Sequence, residues 1–184
     1  MSTGETSAQA GAPVRKLVVS WDQYNTLVER LAHIVHDSGF EFNQIICIAR
    51  GGLRVGDVLS RIFDLPLAIL STHSYSAEGG TIRGELIIAE HMTMTSPRLG
   101  DKVLLVDDMV DSGHTLDVVH RTLPQRFHNI TACKTAVLWW KACSVVKPDY
   151  YVEYLPDNPW ISQPFEVYDT LRPAGLAAHL GVAS

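Results

Sequence analysis

Cysteine is scarce in this sequence: Cys47, Cys133 and Cys143 are the only three, and no two form a CxxC pair. An odd count without close pairs suits no closed disulfide framework. Cys47 and Cys133 stand inside apolar runs, where a free thiol behaves as a small buried hydrophobe, so a reducing cytoplasm is the expected setting. Charge is sparse as well. Asp, Glu, Lys and Arg make up 19 % of the 184 residues, and 15 basic against 20 acidic ones leave a net charge of -5. Lacking a surplus of Lys and Arg, the chain is not equipped to neutralise a phosphate backbone, which argues against a nucleic-acid partner. No apolar run approaches the roughly 20 residues that cross a bilayer, which argues against a membrane partner. Internal repeats, long linkers and low-complexity blocks are also missing. Met1 to Pro13 is rich in Ser, Thr, Gly and Ala without an apolar h-region, and reads as a disordered tail rather than a signal peptide.

What the sequence does have is a core. Hydrophobic residues make up 46 % of it, and the length past the tail fits one domain, residues 14–184, at about 150 residues per domain. Ser20 followed by Gln23 has the form of a capping box. Trp21, Tyr24, Leu27, Val28, Leu31, Ile34 and Val35 then recur at helical spacing up to Gly39. His33 and His36 on this helix have no metal-site context and are expected to be solvated or at the edge of the core. Ile45 to Ala49 is a continuous apolar run of the kind a parallel strand buried on both faces requires. Arg50-Gly51-Gly52 breaks it, and helical spacing resumes at Val55, Val58, Leu59 and Ile62. Leu65–Leu70, residues 85–92, Val103–Val106, Ile130–Leu138 and Tyr150–Leu155 read as further strands. Residues 74–84 read as a mobile glycine-rich loop, and a polar turn and a helix ending near Leu123 follow Val106. Strand, turn and helix in alternation predict an α/β fold: an open, mainly parallel twisted sheet flanked by helices. Ligands of such sheets bind beyond the carboxyl ends of the strands, which directs attention to the loops after Ala49 and Val106.

The second of these loops reads Asp107-Asp108-Met109-Val110-Asp111-Ser112-Gly113-His114-Thr115. Its Ser112–Thr115 part offers hydroxyls and backbone amides at a helix N-terminus, where the helix dipole favours an anion. Its carboxylates cannot bind phosphate, but they accept hydrogen bonds from hydroxyls or reach Mg²⁺ through water. A sugar carrying vicinal hydroxyls and a phosphate satisfies both halves.

The run VLLVDDMVDSGHT, Val103 to Thr115, resembles the phosphoribosyl-pyrophosphate signature of the type I phosphoribosyltransferase family. Other segments resemble the bacterial xanthine-guanine (hypoxanthine) members of that family. Ala49-Arg50-Gly51-Gly52-Leu53 is similar to their pyrophosphate loop. Ser74-Tyr75 with Arg83 and Glu85-Leu86 is similar to their flexible catalytic loop, and Trp160 to Phe165 to the segment carrying their base-stacking tryptophan. The resemblance implies transfer of ribose 5-phosphate from phosphoribosyl pyrophosphate to a 6-oxopurine base in the presence of Mg²⁺, with release of pyrophosphate, as in purine salvage. By the same resemblance, Asp107 and Asp108 hold the ribose hydroxyls and the metal, through water, and stabilise the cationic C1. Asp111 faces N7 of the purine, and Asp111, Ser112, Gly113, His114 and Thr115 form the 5-phosphate loop. Arg50 and Gly51 contact the pyrophosphate, in a loop whose peptide is often non-proline cis, and Arg83 closes over it. Lys141 donates to the 6-oxo group, while Trp160 and Ile161 stack on the base. It further implies a small hood from about residue 141 to 184 and a homo-oligomer, a dimer or tetramer.

Three features depart from the family pattern: the bulky His114, the run Ala142-Cys143-Ser144 where proline and glycine are expected, and the stretch from Val167 to Ser184. Two competing readings are a regulatory protein of the same fold that binds phosphoribosyl pyrophosphate or a nucleotide without catalysis, and a receiver-type protein using Asp107 and Asp108 for Mg²⁺. The first usually brings a basic surface or a DNA-binding domain. The second leaves Ser112–Thr115, Arg50-Gly51 and the Trp160 segment without a role.

Overall fold

Two apolar runs buried on both faces, Ile45–Ile48 and Val103–Val106, set the frame of the molecule. A computed structural model describes residues 15–76 and 83–182, with the side chains of all of these except 74–76 and 83–85. In chain order the strands are β1 (Lys16–Val18), β2 (Gln44–Ala49), β3 (Leu67–Ser76), β4 (Arg83–Ile88), β5 (Thr93–Met94), β6 (Lys102–Val106), β7 (Met109–Val110), β8 (Ala132–Lys141), β9 (Tyr150–Leu155) and β10 (Trp160–Ser162). The helices are α1 (Trp21–Asp37), α2 (Gly52–Phe63), α3 (His114–Arg126), α4 (Val167–Thr170) and α5 (Leu176–Leu180). The chain divides into a larger unit, Ser20–Asn158, and a smaller one formed by the residues up to Val19 and those from Pro159 onward. The segment from Lys141 to Asn158 falls within the larger unit.

In the larger unit β2 pairs in parallel with β3 on one edge and β6 on the other. β6 continues in parallel to β8, and β8 to β9. β4 and β5 add to β3 antiparallel. This is the expected mainly parallel sheet. Ile46, Ile48, Val103 and Leu105 bury one face against Leu116, Val119 and Leu123 of α3. On the other face α2 comes so close that a Cβ on Gly56 would lie 2.7 Å from Cys47 Cβ. Ile45, Ile46, Leu104 and Leu105 are completely buried, each contributing roughly 1.5–3 kcal/mol. α1 carries the expected capping box, with the Gln23 amide donating to Ser20 Oγ and Gln23 Oε1 accepting from the Ser20 amide. It ends just before Gly39 at φ 70°. Tyr24, Leu27, Val28, Leu31 and Val35 of its apolar stripe are buried, whereas Trp21 is exposed. His33 and His36 are exposed as expected, and His33 faces Asp37 at 3.4 Å.

Several boundaries differ from the sequence expectation. α3 passes through Pro124 and ends at Arg126, whose guanidinium donates to the carbonyls of Ala89 and Glu90. Tertiary hydrogen bonds at its last turn outweigh the bond that proline removes. β3 extends through Ser76 because β4 pairs with it, so the strand takes in the start of the segment expected to be a loop. Residues 77–82 of that segment lie outside the described residues. β8 begins two residues later than expected and runs on through Lys141, held there by β9. In the smaller unit, β1 pairs in parallel with β10, Leu17 opposite Ile161. No helix among the described residues is long and apolar enough to cross a membrane.

Candidate active site

The order of the parallel strands reverses between β2 and β6. From β2 the chain crosses by way of α2 to β3 on one side, and β6 lies on the other. Such a switch point opens a crevice at the carboxyl ends of the two strands. Ala49-Arg50-Gly51-Gly52 leaves β2 there, and Asp107-Asp108 leaves β6.

The two segments touch because glycine lets them. A Cβ on Gly51 would lie 2.5 Å from Asp108 Oδ1, and one on Gly52 2.6 Å from the Val106 carbonyl oxygen. The peptide between Ala49 and Arg50 is cis, in the loop where the family resemblance implies such a bond. Asp107 and Asp108 do not form the simple turn expected after Val106. Val106 pairs with Ala136 and Met109 with Trp139, one unbroken register. β7 therefore continues β6, and the two aspartates sit in the middle of a single interrupted strand. The Asp107 amide donates to Ala136 O, and Asp108 O accepts from Leu138. Their carboxylates take amide protons locally: Asp108 N–H donates to Asp107 Oδ1 and Met109 N–H to Asp108 Oδ1.

This enclosure has an electrostatic consequence. Burial, then the charge of Asp108, raises the Asp107 carboxyl well above the ordinary carboxylate range, and the amides of Asp108 and Gly52 oppose the shift. The same field reaches the surrounding core. Burial, followed by the negative charge of Asp108, pushes the Tyr24 hydroxyl upward. The Cys47 thiol is pushed up to about 12, by burial and then by Asp107. Buried and proton-bearing, Cys47 is the structural cysteine expected from the sequence.

Beyond β7, a cleft of about 130 Å³ is lined by Asp107, Asp111, Ser112, Gly113 and Thr115, among others. Gly113 caps α3 at φ 81°, in the left-handed region that glycine adopts without strain. Gly113 O receives the Asp117 amide, the first bond of the helix. The amides at the start of α3 have no partners within the helix and form an anion-binding end. His114, the first helical residue, is exposed.

The end of β8 delivers Lys141. It is buried, and its Nζ lies 3.3 Å from Oδ1 of the exposed Asp111. Two residues that the sequence places 30 apart, and that the family resemblance assigns to the same base, are thus an ion pair. The turn after Lys141 is tied to the phosphate loop, since Val145 N–H donates to Ser112 O and a Cβ on Gly113 would run into Ser144 and Val146. Sequence reasoning missed this tie, and no local signal announces it. Asn158, at φ 48°, belongs to the same arrangement because its Oδ1 accepts the Cys143 amide.

Of the remaining candidates, Arg50 is exposed at the mouth of the β2 loop. Arg83 opens β4, but its side chain lies outside the described residues. Trp160 and Ile161 stand in the smaller unit, Trp160 exposed and Ile161 buried. Among the described residues no three His, Cys, Asp or Glu side chains gather as a closed metal cage. The Asp107–Asp108 pair nonetheless fits Mg²⁺, which prefers oxygen, keeps several waters and draws its other ligands from substrate phosphates.

Comparison with known proteins agrees with this geometry. Residues 20–170 match the family model described as phosphoribosyl transferase domain. Xanthine-guanine phosphoribosyltransferase of Gluconobacter oxydans is 29% identical over 162 residues, 88% of this chain and 90% of that protein. The crystal structure of a purine phosphoribosyltransferase from Pyrococcus horikoshii shares 31% identity at a TM-score of 0.63, over 82% of this chain and 93% of that one. The Helicobacter pylori xanthine-guanine-hypoxanthine phosphoribosyltransferase superposes with a TM-score of 0.71 at 23% identity, over 90% of this chain and 100% of that one. Because residues 20–170, most of its length, match that model, the chain belongs to the phosphoribosyl transferase domain family.

Proposed function

We propose that the protein is a purine phosphoribosyltransferase that moves the ribosyl 5-phosphate group of phosphoribosyl pyrophosphate onto a 6-oxopurine, xanthine, guanine or hypoxanthine. The observation that carries this reading is a cleft lined by Asp107, Asp111 and the Ser112–Thr115 helix end, with Lys141 held to Asp111 at 3.3 Å. Each meets a different part of the substrates. Ser112, Gly113, His114 and Thr115 hold the 5-phosphate with hydroxyls and amides. Asp107 and Asp108 accept from the ribose hydroxyls. Their negative charge, fixed in place before reaction, stabilises C1 as its bond to the pyrophosphate oxygen breaks and the electron pair leaves with pyrophosphate. Arg50 and the Gly51 backbone hold that leaving group, and Arg83 closes over it, keeping water from the activated carbon. A base nitrogen then forms the new C1–N bond, and Asp111, facing N7, handles the proton the purine must lose. Bound Mg²⁺ would add positive charge at the phosphates, with Asp107 and Asp108 holding it through water.

Base selection falls to Lys141. As a donor only, it satisfies a 6-oxo group and leaves a 6-amino group without a partner. Offered each base with phosphoribosyl pyrophosphate and Mg²⁺, the protein is expected to convert at least one 6-oxopurine and to use adenine about a thousandfold less efficiently. Absence of nucleotide product from every base would end this reading, and adenine as the preferred base would remove the Lys141 role. Trp160 and Ile161 are assigned to the base on the resemblance of their segment. Trp160→Ala is expected to raise the KM for the base about tenfold or more, by loss of a stacking face, with the KM for phosphoribosyl pyrophosphate little changed. Steady-state kinetics with each substrate varied separately distinguishes the two.

A further inference from the structure

The turn after β8 brings a third group to the Asp111 carboxylate. Cys143 Sγ lies 3.4 Å from Asp111 Oδ1 and 3.5 Å from the Asp111 carbonyl oxygen. Lys141 Nζ approaches the same Oδ1 at 3.3 Å. The Cys143 side chain is exposed, but the backbone that carries it is held from several directions. Asn158 Oδ1 accepts the Cys143 amide at 2.8 Å, Ser144 N–H closes the turn on Lys141 O at 3.1 Å, and Val145 N–H reaches Ser112 O at 3.0 Å. Asp111 has a side chain that is 63% exposed. A carboxylate so placed has little packing to choose its rotamer, and its orientation depends on the donors that meet it.

We propose that Cys143 is a positioning residue of the base site: its thiol donates to the Asp111 carboxylate and, together with Lys141, fixes the direction in which that carboxylate faces the purine. This rests on the 6-oxopurine reading, in which Asp111 and Lys141 serve the same base. The arrangement answers a particular need. When a 6-oxo group draws the Lys141 ammonium toward itself, Asp111 loses part of its ion pair, and the thiol keeps the carboxylate in place. At neutral pH the thiol carries its proton, because partial burial and the acceptor carboxylate of Asp111 raise it above the ordinary cysteine range.

Kinetics of the full-length protein with base and phosphoribosyl pyrophosphate varied separately test it. A thiol is a weak donor to a charged acceptor, so Cys143→Ala is expected to raise the KM for the base about tenfold, leave that for phosphoribosyl pyrophosphate within about twofold, and be rescued to within about threefold by Cys143→Ser. In an Asp111→Ala background, Cys143→Ala should add nothing further. The proposal is overturned if Cys143→Ala matches the wild type, if serine does not rescue it, if both KM values rise together, or if the loss persists without Asp111. An active wild type with a silent Cys143→Ala removes only the positioning role. A wild type that converts no 6-oxopurine removes the reading beneath it as well.

Discussion

Replacing Asp107 and Asp108 together by asparagine is expected to reduce turnover by about a thousandfold or more, the scale seen when preorganised charge is removed from a developing transition state. The same replacement should leave the fold intact, because the sheet holds this segment through its backbone. The unbroken register from Val106–Ala136 to Met109–Trp139 and the amide of Leu138 on Asp108 O do not depend on side-chain charge. The amide protons now received by the carboxylates can be received by asparagine oxygens. Loss of activity with loss of folding would contradict this account; loss of activity alone supports it.

Stability adds a check with a definite sign. The folded-state carboxyl of Asp107 is raised, first by burial and then by Asp108. A group raised on folding contributes stability that is present below its unfolded value, in the ordinary carboxylate range, and is lost as pH rises through its folded value. Asp107→Asn alone should therefore match the wild type near pH 4 and become the more stable of the two as pH rises toward neutrality. Denaturant unfolding at a series of pH values measures it. A difference that instead favours the wild type at neutral pH would mean that Asp107 is held as a stabilised carboxylate, opposite to the enclosure described above.

Gly52→Ala is expected to have the second-largest effect. Alanine ordinarily gains up to about 1 kcal/mol over glycine in a helix, and this position opens α2 at an ordinary helical φ. Here the new methyl would stand 2.6 Å from the Val106 carbonyl oxygen and 3.0 Å from Asp107 Cα. Both are backbone atoms, Val106 in a strand paired on either edge and Asp107 tied to Ala136 O, so neither can rotate away. Overpacking of this kind costs about 1–3 kcal/mol. The strain falls on the segment that carries the carboxylate pair, and a displacement of about 1 Å there is enough to lower kcat/KM about a hundredfold. A lowered melting temperature together with lowered kcat/KM is the expected pair of results. An alanine variant with wild-type melting and wild-type kinetics would show that the two loops do not meet at Gly52.

Much of the molecule could be read along the chain because the signals involved are local. The capping box at Ser20, the apolar stripe of α1 and the continuous runs of β2 and β6 each depend on neighbours within a few residues. The same holds for the Ser112–Thr115 segment, whose hydroxyls and glycine point to a helix start suited to an anion only because an apolar strand runs straight into it. Boundaries went astray where distant partners decided them. The third helix is expected to end near Leu123, but Ala89 and Glu90 hold a further turn through Arg126. Met109 and Val110 looked like part of a polar turn, but the neighbouring strand takes them back into the sheet.

The sequence by itself determined the class of fold and the kind of ligand: buried parallel strands, a crevice at their carboxyl ends, and groups suited to a phosphate and to hydroxyls. The tertiary structure decided how those groups act on one another. Only the packing of α2 against β6 presses Gly51 onto Asp108 and raises the Asp107 carboxyl. Only the pairing of β7 with β8 brings Asp111, Lys141 and Cys143 to one oxygen atom. The physical reason is range. Hydrophobic periodicity and capping are fixed by covalent neighbours, whereas burial, ion pairing and close approach depend on distances between segments that the chain leaves dozens of residues apart.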